Sequence, residues 1–252
     1  MNTLHDRLVE IRRSSTRGQY RNDWLDARFS FSFGSYRNPS RDNFGVLLAL
    51  NEDVIQPGTG FDMHAHEDLE IFIMPLSGAV NHEDSLGNRA TVRPGEIQKM
   101  TAGSGIRHSQ MNASRAALDH HLQIWLRPRT RGLKPGIEQR KFDESVRAGA
   151  WQLLVSPDGR DGSLVVDQDA SVFAAVLRDG QQLPQRGAAG RSQYLHVIRG
   201  DATVVHGDGV SALLHAGDAF VAGRAIDLQL AGVGPEAEIL LFDLPTVSPP
   251  QA

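Results

Sequence analysis

The chain has 252 residues, 40% of them apolar, with 26 basic against 30 acidic side chains and a net charge of −4. That balance fits a globular protein of one large or two small domains; it excludes a disordered chain and lacks the basic excess that direct nucleic-acid binding calls for. Cysteine is absent, so there is no disulfide framework, and a metal would have to be held by nitrogen and oxygen donors.

In chain order, the opening "MNTLHDRLVEIRRS" is too polar for a signal-peptide core, and no apolar run is long enough to span a bilayer. A cytoplasmic location and no membrane partner are the expectation. A short helix is predicted near Leu4 to Arg12. From Arg28, "RFSFSF" alternates strictly, and "LEIFIMPL" and "HLQIWL" follow as short runs rich in β-branched and aromatic residues. Gly87-Asn88 and Pro94-Gly95 punctuate them as turns. The polar, Pro/Gly-bearing "RPRTRGLKPGIEQRKF", Arg127 to Phe142, reads as a linker, with a helical piece near Asp143 to Ala148. "SVFAAVL", "YLHVIRG", "ATVVHG" and "EILLFDL" then continue the strand pattern between turns at Asp158-Gly159, Asp179-Gly180 and Asp208-Gly209. The tail "LPTVSPPQA" has the composition of an unordered end. Many short strands with regular punctuation predict an all-β sandwich or barrel.

An internal repeat refines this. Ile71 to Gly103 and Leu195 to Gly223 share one order: strand, Gly, strand, His, turn, strand, Gly-acid, strand, Ala-Gly. Gly78 matches Gly200, and Gly95-Glu96 matches Gly217-Asp218, at one offset of 122 residues. The chain is expected to hold two copies of one β-barrel unit, residues 1–135 and 136–252.

In "FDMHAHEDLEIF", His64, His66, Asp68 and Glu70 share strand parity. "GSGIRHSQMN" adds His108 and Gln110, again two apart. Three histidines plus one oxygen donor make a nitrogen/oxygen site suited to iron, manganese, zinc, nickel or copper. Phe72 and Met74 continue the parity and are expected to line the barrel, packing its core or walling a planar aromatic substrate. One of His120 and His121 must point inward. His82, His196, His206 and His215 lack ligand spacing and read as exposed or half-buried strand histidines, and Asp68 as a solvated rim residue.

The surrounding glycines carry a resemblance. Gly58 precedes His64 with five residues between, Glu70 follows His66 after three, and Gly78 closes the hairpin. Then come Gly95, Thr101-Ala102-Gly103, His108 and Asn112. This pattern resembles the two cupin motifs. "RFSFSFGSYRNP", "HEDSLGN", "RPGEIQKMTAGSGIRHS" and "LQIWL" are similar to the pirin branch over roughly residues 20 to 145. The second half is similar only in its repeat pattern. The resemblance implies a bicupin of two jelly-roll barrels with one divalent metal, foremost Fe(II), in the N-terminal one. Three histidines and a glutamate hold that metal in the family. His64, His66 and His108 match the histidines, and Gln110 stands where the glutamate would be. Gln110 can offer an amide oxygen but no charge and no useful proton affinity. Glu70, which matches the usual cupin glutamate, is the candidate substitute ligand and catalytic base. The second barrel maps Arg186, Ala188 and Ser192 onto His64, His66 and Glu70, so it is expected to bind no metal.

Two functions are implied. One is a quercetin 2,3-dioxygenase type of enzyme, cleaving a flavonol or similar small aromatic with dioxygen and releasing carbon monoxide. The other is a metal-containing regulatory module that contacts protein partners. The enzymatic reading is the expectation carried forward.

Overall fold

The computed structural model describes residues 9–207 and 209–246. The chain forms two compact units: residues 18–142 with 166–168, and a second unit containing residues 9–17, 143–165 and the chain from 169 onward. Each is an all-β jelly roll, as the strand punctuation predicts.

The described chain opens with β1 (Val9–Arg12), which belongs to the second unit. The first unit follows as β2 (Gly18–Arg21), β3 (Leu25–Phe29), β4 (Leu47–Ile55), β5 (Gly60–His66), β6 (Glu70–Ser77), β7 (Val80–Asp84), β8 (Arg89–Val92), β9 (Glu96–Thr101), β10 (Ile106–Asn112), β11 (Asp119–Leu126) and β12 (Gly136–Lys141). They form a seven-stranded sheet, β12-β9-β6-β11-β4-β3-β2, and a four-stranded sheet, β5-β10-β7-β8. The second sheet shows the alternation of a half-buried strand most clearly in β7, where Val80, His82 and Asp84 are buried between exposed neighbours.

The second unit contains β13 (Gln152–Ser156), β14 (Leu164–Val165), β15 (Ser171–Leu177), β16 (Gln182–Gln185), β17 (Arg191–His206), β18 (Val210–His215), β19 (Ala219–Ala222) and β20 (Leu228–Pro245). Its long strands β17 and β20 pair along most of their length, with register shifts around Arg199. The interior is one apolar cluster that includes Leu195, Val197, Val204, Phe220 and Leu230.

The repeat is visible in the backbone. Gly78 and Gly200 have φ of +76° and +70°, and Gly95 and Gly217 both have +82°. At Gly78 a Cβ would strike the backbone of Leu118, and at Gly200 that of Glu236, so each copy needs its glycine for close approach as well as for φ.

Several sequence expectations are corrected. The boundary at 135/136 cuts β12 away from β9, its partner, and it assigns residues 9–17 to the wrong unit. Residues Val9–Arg12 form a strand, not a helix, because Val9 and Ile11 pack on the apolar core of the second unit while β1 pairs with β19. The rest of that predicted helix, Asp208, and the end of the tail lie outside the described residues. The helical piece near Asp143 is a single 3-10 turn, Glu144–Arg147, capped by the Asp143 side chain. The run beginning at Arg28 leaves the ladder after Phe29.

Candidate metal centre

The site starts on the two strands that carry the histidines. β5 and β10 are antiparallel neighbours, and His64 sits opposite His108. The next pair in the ladder is Phe61 with Gln110, so two residues of β5, Asp62 and Met63, oppose Ser109 alone. This bulge re-aims the strand beside the site. It also leaves the Asp62 carbonyl free of the ladder to accept a hydrogen bond from His64 Nδ1 at 2.7 Å. That bond fixes the tautomer and leaves His64 Nε2 as the free donor atom.

The ring centroids of His64, His66 and His108 lie 4.5–5.1 Å from one another. One ligating atom from each lies within 4.8 Å of the others. Burial, with the charge of His64, lowers the pKa of His66 to about 4. Burial, followed by the charges of His64, His66 and His82, lowers that of His108 to about 2. His66 and His108 therefore stand ready as neutral imidazoles at neutral pH, the form that ligates metal. His108 is 1% exposed, and neither of its ring nitrogens has a hydrogen-bond partner. A buried imidazole with both nitrogens idle is costly unless something binds it, so the residues fit a metal ion.

Gln110 lies on the inner face of β10, 2% exposed, and its Oε1 accepts a hydrogen bond from Gln123 Nε2 at 3.0 Å. Trp125, two residues beyond Gln123 on β11, meets the His66 ring edge-on at 5.0 Å, and Phe33 lies behind it at 4.9 Å. Phe61 lies 6.3 Å from His64 on another side.

Glu70, Phe72 and Met74 do not join this site. β5 and β6 lie in different sheets, and between them Asp68 takes φ of +49°, so strand parity does not carry across. On β6 the inward residues are Ile71 and Ile73, which pair with Trp125 and Gln123; Glu70, Phe72 and Met74 pair with Leu126, Ile124 and Leu122 on the opposite face. Glu70 is buried there and accepts a hydrogen bond from Thr101 Oγ1 at 2.7 Å. Burial raises its pKa against the opposing effects of Thr101 and Lys99. Phe72 and Met74 are buried core residues, and the aromatic rings beside the histidines are those of Trp125 and Phe61. Asp68, expected at a solvated rim, accepts from the Gly132 backbone N–H.

The structure also places residues that the sequence reading passed over. His82 is not an exposed hairpin histidine: it is 2% exposed, with its ring 5.4 Å from His108. The Val80-His82-Asp84 alternation was the available signal. His121 is the inward member of its pair and is fully buried, with Nδ1 2.8 Å from Asp119. Burial alone would lower its pKa, but the Asp119 hydrogen bond and the charges of Asp119 and Asp53 raise it overall. His120 points the other way, to Glu52. His196, expected to be exposed or half-buried, is 1% exposed.

Comparison with known proteins agrees with this architecture. The pirin family profile matches residues 10–126, and a quercetinase C-terminal cupin domain matches 153–244. A quercetin 2,3-dioxygenase of Escherichia coli K12 is 41% identical over 95% of this chain and all of its own length. A putative quercetin 2,3-dioxygenase of Pasteurella multocida is 36% identical over 88% of this chain and 92% of its own. The crystal structure of E. coli YhhW superposes with a TM-score of 0.87 at 38% identity, covering 96% of this chain and 99% of that one. The bacterial pirin YhhW in complex with nickel(II) gives 0.85, again at 38% identity, over 95% and 100%. With similarity running through both barrels, the chain belongs to the pirin family of bicupins.

Proposed function

We propose that the chain is a metal-dependent dioxygenase of the quercetin 2,3-dioxygenase type, with His64, His66 and His108 holding one divalent ion, Fe(II) in the first place. The observation that carries this reading is the cluster of three histidines, one of them buried with both nitrogens unpartnered. The dioxygenase names of the relatives and the nickel complex of a bacterial pirin support it. No described helix is long and apolar enough to cross a membrane, and a cytoplasmic location is part of the reading.

An ion held by His64, His66 and His108 would supply Lewis acidity toward the flavonol 3-hydroxyl. The chain supplies the rest. Asp62 and the bulge fix His64, Trp125 and Phe61 offer flat walls to a planar substrate, and Gln123 holds Gln110 in place. Glu70 is turned away, and Gln110 has no useful proton affinity. No ligand carboxylate therefore stands ready to take the 3-hydroxyl proton, and the half-buried His64 and His66 leave the site within reach of solvent as its acceptor. Dioxygenase names among the relatives favour this enzyme over the regulatory, protein-binding alternative. Oxygen uptake and carbon monoxide release with quercetin, for metal-free and iron-loaded protein, test the proposal. Turnover only in the loaded form supports it, and no turnover in either form rejects it.

A further inference from the structure

His82 and Asp84 are buried next to the histidine cluster, yet the proposed chemistry does not use them. Asp84 is 4% exposed and is held by the turn that follows it. Asn88 Nδ2 donates to both of its oxygens at 3.1 and 2.9 Å, and the backbone N–H groups of Leu86 and Asn88 donate to Oδ1. His82 Nε2 lies 3.2 Å from the remaining side of that carboxylate, on Oδ2. A fixed carboxylate at Nε2 sets the tautomer, with the proton on Nε2 and a lone pair on Nδ1. That Nδ1 is buried and has no partner. Next to it stands His108, whose ring centroid is 5.4 Å away and whose two nitrogens are also unpartnered.

A histidine that binds metal through one nitrogen carries a proton on the other, and that N–H almost always finds an acceptor. For His64 the acceptor is the Asp62 carbonyl. The two rings are not hydrogen-bonded to each other here; we infer that when His108 ligates the metal through one nitrogen its other N–H turns to His82 Nδ1, so that Asp84, His82 and His108 form a positioning relay behind the metal. The arrangement gives the orphaned nitrogens of both rings a use and needs no group from outside the chain. It also brings one carboxylate charge within two imidazoles of an ion whose three histidine ligands carry none. The inference rests on the histidine cluster being the metal site.

The test is nickel(II) affinity by chelator competition, with the unfolding midpoint of the metal-free protein as a control for folding. His82→Leu removes the acceptor and is expected to weaken nickel about ten- to a hundredfold, the range found for such outer partners. His82→Gln keeps an N–H for Asp84 and an oxygen for His108, and should recover most of that loss. In the cobalt(II) protein, one hyperfine-shifted imidazole N–H should exchange faster with solvent in His82→Leu and not in His82→Gln. Should His82→Leu fail to fold, Asp84→Asn keeps the oxygen for the turn while removing the charge, and a smaller loss of affinity is expected. Unchanged affinity in the folded leucine variant, or in Asp84→Asn, overturns the relay; so does an equal loss in the leucine and glutamine variants. Failure of the wild type to bind nickel would reject the metal site itself, and the relay with it.

Discussion

The two barrels repeat one backbone and fill it differently. Between the matched glycines the offset of 122 places Val204 where the first barrel has His82, and Val204 is fully buried in the apolar cluster. Ala202 likewise corresponds to Val80 at that offset, so the buried positions of the two copies match and only their chemistry differs. In the first barrel, buried polar atoms without hydrogen-bond partners gather on the inner face: Asn51, Nδ1 of His82, both nitrogens of His108, and Nε2 of His121. Such atoms weaken a fold unless a ligand or water satisfies them. The second barrel fills its interior with an apolar cluster and leaves fewer such atoms, among them Trp151 Nε1 and Gln193 Oε1, and the first gives up part of its core to chemistry.

Replacing His108 by leucine would make the first barrel locally resemble the second. Nickel binding should be abolished, since two histidines and a neutral amide leave too few donors, while the metal-free protein keeps or gains stability because two orphaned nitrogens disappear. Calorimetry and urea unfolding check both halves. The converse change is Leu230→Ala in the second barrel. A fully buried leucine should cost about 2–5 kcal/mol on truncation, with nickel stoichiometry unchanged.

Gln110→Glu sharpens the contrast by adding charge to the polar barrel. A carboxylate near a divalent ion gains Coulomb energy that an amide lacks, and desolvation offsets part of it. A net gain of about 1–3 kcal/mol, roughly ten- to a hundredfold in Fe(II) affinity, is expected from an anaerobic titration. Gln123 already offers that carboxylate an N–H donor. Equal affinities would mean that position 110 does not face the metal.

Acid should affect the two barrels unequally. His66 and His108 have folded-state pKa values below the ordinary 6.5, so the unfolded chain takes up protons that the fold refuses. Their contribution is complete above pH 6.5 and is lost as the pH falls from there, toward about 4 for His66 and about 2 for His108. The urea midpoint of the metal-free protein should fall over that window, and His108→Leu should flatten the fall. The smallest effect is expected for Glu70→Gln: nickel affinity should stay within about 0.5 kcal/mol of wild type. A large loss would place Glu70 at the metal after all.

Much of this was legible in the sequence. Glycines that need positive φ mark the repeat, and the His64/His66 and His108/Gln110 spacings survive because each pair lies within one strand. What failed was extrapolation across a corner: parity from His66 to Glu70 assumes one continuous strand, and the Asp68 turn into another sheet breaks it. The unit boundary failed for a related reason, since β1 pairs with β19, some two hundred residues away, and nothing local in Val9–Arg12 announces that. His82 was passed over because ligand spacing was the criterion; a residue that acts through a ligand on a neighbouring strand leaves no spacing in its own.

The most direct test is a crystal structure of the nickel-loaded protein with anomalous data collected at the nickel edge. The account predicts one strong peak in the first barrel, within about 2.0–2.2 Å of His64 Nε2 and of one nitrogen each from His66 and His108, distances typical of imidazole–metal bonds, and none inside the second barrel. A peak elsewhere, or none among these three histidines, would contradict it.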